Sequence, residues 1–168
     1  MSRKTSHIQV RVTPAQKAAI RRLAREAGLD LSGYILLRAL PPTRLRFEEL
    51  LRSLGTAASA ERPYVFAEIN DFLAGLSSPE LENAVARIDP EALDELSHYD
   101  RNYVAAMVEL ACGEKDLDPP AWTSDVRPLD RPRFGTALTS LRPYLLRVSP
   151  VPFKRRNIFI DASIGDRV

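Results

Sequence analysis

A single cysteine, Cys112, stands in 168 residues. No disulfide can form within the chain, and no Cys/His set surrounds that thiol to hold zinc. Its place in the apolar run VAAMVELAC marks it as a buried structural thiol. Histidine is almost as scarce, with two, His7 and His98. There is no glycine-rich phosphate loop, no Gly-x-Ser-x-Gly and no Cys–His constellation. Asp94, Glu95 and His98 are the one group with catalytic residue types. Asp94 and His98 share a helix face, but a zinc protease needs two histidines at that spacing. A polar helix surface is therefore expected, with no enzymatic activity, no metal and no cofactor. No window of about eighteen apolar residues occurs, so no membrane span is expected. The opening MSRKTSHIQ lacks an apolar signal core, which makes the cytoplasm the expected compartment. Internal repeats and low-complexity tracts are missing as well.

What is present is a globular composition, 45% hydrophobic, in a chain long enough for one domain plus a small module. The formal net charge of +2 conceals an uneven distribution. Residues 1–46 carry ten Lys/Arg against two Asp/Glu, a net of +8. Residues 47–126 carry five against seventeen, a net of −12, and residues 127–168 carry nine against three, a net of +6. A basic first segment suits DNA, because phosphate neutralisation supplies most non-specific affinity. The acidic middle must face away from a duplex or be covered by something basic.

The first forty residues hold the clearest pattern. From His7 to Thr13 polar and apolar residues alternate: His7, Gln9, Arg11 and Thr13 on one side, Ile8, Val10 and Val12 on the other. This is the period of a half-buried strand. A lone strand has unpaired backbone groups, and no second strand-like run or hairpin turn follows. Its simplest partner is the same strand of a second copy, joined across a two-fold axis. Thr13 and Pro14 then start a helix. Its apolar stripe is Ala18, Ala19, Leu23 and Ala27, widened by Ile20 and Ala24, and Gly28 ends it. Ser32 is a cap candidate for a second helix, which Pro41 and Pro42 stop.

The alternation, the Thr13-Pro14 start, the EAGLDLSGYI turn from Glu26 to Ile35 and the helix lengths together resemble the ribbon–helix–helix family of dimeric DNA-binding proteins. The resemblance implies an intermolecular two-stranded antiparallel ribbon in the major groove. Gln9 and Arg11 would meet base edges, with His7 or Thr13 at the margins. The N–H groups around Leu31, Ser32 and Gly33 would hold a backbone phosphate, and Arg3 and Lys4 would add phosphate contacts. The operator would be palindromic or tandem.

Beyond residue 42 the chain reads as helical. Thr43–Gly55 shows a stripe of Leu45, Leu50, Leu51 and Leu54. Pro63–Leu76 follows a linker, Ser78-Pro79 starts a further helix, and Asp89-Pro90 starts one long helix or two that stop at Gly113. From Glu114 to Gly135 four prolines point to an extended course. A short helix is expected in TALTSLRPYLL and a late strand over Asn157–Asp161. The expected organisation is mainly α. It comprises a ribbon–helix–helix over 1–42, an acidic helical domain over 43–113 and an extended, proline-rich segment over 114–168.

That last segment could wrap a partner or cross the chain's own core. As partner anchors, Trp122, Phe134, Phe153, Lys154, Arg155, Arg156 and Phe159 are the candidates. The ending LRPYLLRVSPVPFKRRNIFIDAS resembles antitoxins encoded beside nucleotidyltransferase-like toxins. Joined to the front of the chain, it implies a homodimeric antitoxin that binds a cognate toxin, with a nucleotidyltransferase as candidate, and represses its own operon. The alternatives are a stand-alone repressor or partition-type DNA binder, and an adaptor whose ribbon only dimerises.

Overall fold

The computed structural model describes residues 9–39 and 42–161. The chain divides into two compact units, residues 1–41 and 42–168.

The first unit holds two helices, α1 (Pro14–Glu26) and α2 (Leu31–Ala39), packed on each other. Thr13 caps α1 in a reciprocal arrangement: Gln16 N donates to Thr13 Oγ1 at 3.2 Å, and Thr13 N donates to Gln16 Oε1 at 2.9 Å. At the other end Gly28 takes φ +67°. Its N–H donates to Arg25 O at 3.1 Å and that of Leu29 to Ala24 O at 2.9 Å. This paired closure needs a left-handed residue, which glycine supplies without a Cβ clash. The cap of α2 is Asp30 rather than Ser32: Asp30 Oδ1 accepts from Gly33 N at 2.7 Å.

The apolar stripe of α1 is also redistributed. Ala24 is buried and Ile20 half-buried, while Ala19, Leu23 and Ala27 are exposed. Ile20 and Ala24 lie one turn apart on one face, and Ala19, Leu23 and Ala27 mark the face beside it. Residues 9–13 pair with no strand among the described residues. The alternation there is real, but a ladder for it would have to come from another chain. His7 and Ile8 lie outside the described residues.

The second unit is helical throughout its first two thirds. Helices α3 (Pro42–Thr56), α4 (Arg62–Gly75), α5 (Ser78–Val85), α6 (Pro90–Asp94) and α7 (His98–Glu114) enclose one core. From α3 come Phe47, Leu50, Leu51 and Leu54; Leu45 of the expected stripe is 38% exposed instead. Three residues back, Leu50's face continues to Phe47 and not to Leu45, which follows from the 3.6-residue period. Helix α5 begins one residue earlier than its Ser78-Pro79 signal: Ser77 is the cap, held by the Glu80 carboxylate, which accepts from Ser77 N at 3.0 Å and Oγ at 2.6 Å. The Asp89–Gly113 stretch is two helices, and α7 runs through Gly113 to Glu114. Val104, Ala105, Ala106, Val108, Ala111 and Cys112 are all buried on α7, which makes it the centre of the unit.

The last third joins the same core. It is less extended than its prolines suggest. After the short α8 (Ala121–Asp125) and a two-residue strand β1 (Arg133–Phe134) come a 3-10 turn (Thr139–Leu141), α9 (Arg142–Val148), α10 (Val151–Arg155) and β2 (Ile158–Phe159). Pro143 and Pro152 sit in the first turns of α9 and α10, where a missing N–H costs nothing. Strands β1 and β2 pair in parallel, Arg133 opposite Ile158 and Phe134 opposite Phe159. Asn157, at φ +58°, ends α10 and donates its side-chain amide to Leu129 O at 2.6 Å. Phe153 and Ile158 are buried in the cluster built by the helices. Residues 43–113 and the residues after them, expected as separate parts, therefore share a core.

Candidate nucleic-acid interface

The described basic residues of the N-terminal unit lie in three places, one of them the end of α2, where the exposed Arg38 sits over the Tyr34 ring. Arg11 lies in the extended lead-in to α1, and Lys17, Arg21, Arg22 and Arg25 project from α1 itself, all exposed. Arg25 Nε donates to Arg21 O at 3.4 Å, and Arg22 meets Glu26 at 3.7 Å, a solvent-exposed pair that removes little of the local positive potential. Between the end of α1 and the start of α2 lies a shallow hollow of ≈ 450 Å³ lined by Arg21, Ala24, Arg25, Leu29, Asp30 and Leu31. Two guanidinium groups and a helix N-terminus share this hollow, and both attract anions.

Gln9 and Arg11 are exposed, as base-reading side chains have to be. Thr13 is exposed, but its hydroxyl and N–H are both used in the cap with Gln16. It is therefore a helix start first. His7, Arg3 and Lys4 lie outside the described residues. At the expected phosphate site the three residues differ. The N–H of Gly33 is already engaged by Asp30, whereas Leu31 and Ser32 hold the open end of the helix. A Cβ on residue 33 would lie 2.6 Å from Asp30 Oδ1, so glycine there makes room for the capping carboxylate. Sequence reasoning missed Asp30, although an Asp directly before a helix is a strong cap signal.

The unit has little interior of its own. Among its described residues Ala24 and Tyr34 are the buried apolar ones, while Val10 is 69% exposed and Val12, Leu23, Ile35 and Leu36 between 37% and 43%. About forty residues rarely close a core unaided. These side chains leave the unit with an exposed apolar set.

The residues expected to anchor a partner are placed very differently from one another. Arg156 is 5% exposed. Its guanidinium pairs with Glu109 and donates to Thr123 O at 2.6 Å, Val126 O at 3.2 Å and Asn102 Oδ1 at 3.4 Å. Phe153 is 2% exposed, edge-on to Tyr103 at 5.1 Å. Trp122 is half-buried and donates Nε1–H to Val85 O at 2.8 Å. Phe134 and Phe159 stack at 5.0 Å, with Arg142 over the Phe134 ring. Lys154 donates to Arg147 O at 2.8 Å, and Arg155 is exposed. The set thus divides into interior residues, Phe153 and Arg156 above all, and a surface remainder.

Asp94 and His98, expected on one helix face, lie on two helices, Asp94 at the end of α6 and His98 at the start of α7, and both line one hollow. Asp94 is tied to Arg101, through Oδ1 at 3.3 Å and its carbonyl at 3.0 Å. A hollow of ≈ 470 Å³ opens beside it, lined among others by Leu93, His98, Arg101 and Trp122. Arg101 there is spent on Asp94 and on Leu96 O.

Comparison with known families bears on the N-terminal part. Residues 2–58 match the NikA-like family, described as mobilization protein NikA. The matched stretch takes in the strand-like lead-in, α1, α2 and all of α3. This likeness points to a DNA-binding protein of ribbon–helix–helix type. No curated protein and no solved structure matches the chain.

Proposed function

We propose that the chain is a homodimeric DNA-binding protein in which two N-terminal segments pair as an antiparallel ribbon and read a duplex site in DNA mobilization. The match of residues 2–58 to mobilization protein NikA, a ribbon–helix–helix-type relaxosome protein, carries this reading. Gln9 and Arg11 have the chemistry for adenine and guanine edges in the major groove. Arg21, Arg25 and the start of α2 take phosphates, which fix register without reading sequence. Val10, Val12, Leu23, Ile35 and Leu36 close the dimer core.

The narrower expectation of an antitoxin that represses its own operon rests on the C-terminal resemblance. The match over 2–58 favours mobilization over it, as it does over a partition protein or a stand-alone repressor.

Selection from a library of random duplexes tests the reading. The expected outcome is a site with two-fold or tandem symmetry, bound by chains in pairs, with affinity falling steeply as salt rises. An asymmetric site bound by one chain, or no enrichment at all, would overturn it.

A further inference from the structure

The surface of the C-terminal unit is uneven. Among its described residues eight large apolar side chains are exposed, and six of them fall within fourteen consecutive positions: Leu138, Leu141, Tyr144, Leu146, Val148 and Val151. Leu138, Leu146 and Val151 are 62%, 49% and 57% exposed. Leu141, Tyr144 and Val148 follow the three- and four-residue spacing of a helix face. They flank the buried Leu145, so α9 spends one leucine on its own core and leaves the rest outside. Isolated surface leucines are ordinary, but a concentration of this kind marks an interaction site.

The charge of the same region is mainly basic, with Asp161 at its edge, where its carboxylate accepts from the Tyr144 hydroxyl at 2.9 Å. Residues 131–160 contain seven Lys/Arg and no Asp/Glu. Arg156 is used internally on Glu109. Among the described residues, no ion pair involves Arg131, Arg133, Arg142, Arg147, Lys154 or Arg155.

These two features select an occupant. Duplex DNA rewards the cations but leaves the leucines facing water or phosphate. A second copy, face to face, would set like charges opposite each other. The acidic helices of a second copy supply carboxylates, but between residues 57 and 126 only Tyr64 among the described residues is a large exposed apolar side chain. A lipid surface wants one apolar face and one polar face. Here apolar side chains stand on both sides of α9, with Arg147 among them. That mosaic of aliphatic, tyrosine and arginine side chains is the composition of a protein interface.

We propose that the Leu138–Val151 face docks a partner protein through an acidic amphipathic segment. The segment's apolar side chains pack among Leu141, Tyr144 and Leu146, and its carboxylates meet Arg142, Arg147 and Arg155. This surface does not depend on the DNA reading, and it does not include the buried Phe153 and Arg156.

A random-peptide library displayed on phage, selected on the full chain, tests the proposal. Enriched peptides should combine net negative charge with apolar residues at helical spacing. Their affinity should fall roughly tenfold in Leu141→Ser/Leu146→Ser and again in Arg147→Glu, with circular dichroism unchanged because these side chains are exposed. Peptides that are neutral or basic, or whose binding ignores these substitutions, would overturn it. So would tighter binding to phosphatidylglycerol vesicles than to any peptide, or self-association by sedimentation that the double substitution abolishes.

Discussion

Asp30 Oδ1 accepts the backbone N–H of Gly33 at 2.7 Å, which places a carboxylate at the helix end where a phosphate is expected. The cap satisfies one of the open donors at the start of α2. It also puts a negative charge beside Arg21 and Arg25 in the hollow between the helices. Helix stability and phosphate attraction are thus in competition at one residue.

Asp30→Asn should separate the two. It keeps an acceptor for Gly33 and removes the charge, so stability stays within about 0.5 kcal/mol while DNA affinity rises. Asp30→Ala should cost about 1 kcal/mol. Gly33→Ala should cost more than Ser32→Ala, because its Cβ would lie 2.6 Å from the capping oxygen. Thermal melts and duplex titrations on the same samples decide between these effects.

The exposed apolar set of the N-terminal unit predicts where the dimer closes. Leu23→Asp or Ile35→Asp should convert dimers to monomers in sedimentation equilibrium and remove specific DNA binding with them. The C-terminal unit has its own core, so far-ultraviolet circular dichroism should retain most of its helical signal. A dimer that survives both substitutions would place the interface elsewhere.

Arg156 and Glu109 form the buried ion pair that ties the end of the chain to α7, with side chains 6% and 15% exposed. Removing one partner strands the other, so Arg156→Met should destabilise by about 3–5 kcal/mol. Replacing both, Arg156→Met with Glu109→Leu, should recover a large share of that loss. Urea unfolding of the single and double variants measures the difference.

Tyr103 lies among Phe66, Tyr99 and Phe153, and burial pushes its phenol up to about 12. The folded value is raised above the ordinary value near 10. Its contribution is therefore complete below that ordinary value and is lost as pH climbs toward the folded one. Stability should fall between about pH 10 and 12, and Tyr103→Phe should soften the fall. Tyr99 is raised as well, first by burial and then by the neighbouring Asp100 charge. Absorbance titration at alkaline pH should show these phenols ionising late, together with unfolding.

Local signals carried far in this chain, and long-range ones did not. Thr13-Pro14 and Gly28 mark the ends of α1 because caps act within a few residues. Capping is also where small errors entered. Asp30 and Ser32 are both good caps, and the closure at Gly28–Leu29 decides which one meets the helix start. Ser77 and Ser78 posed the same ambiguity. The C-terminal third was harder because proline has two meanings. It breaks helices in their interiors, yet Pro143 and Pro152 open short ones. That Phe153 and Arg156 turn inward depends on the space α7 leaves open and on Glu109, some forty-seven residues away. No periodicity encodes such a contact. At the N-terminus Gln9 and Arg11 are exposed, but so are Val10 and Val12, because the ribbon that would separate the two faces requires a second chain.

The most direct test of the central claim is the affinity of the full chain for its selected duplex, measured by fluorescence anisotropy beside an unrelated duplex, with Gln9→Ala and Arg11→Ala. Each substitution should cost about 1–3 kcal/mol on the selected site and much less on the unrelated one. Equal losses on both duplexes, or none, would contradict a base-reading ribbon at the N-terminus.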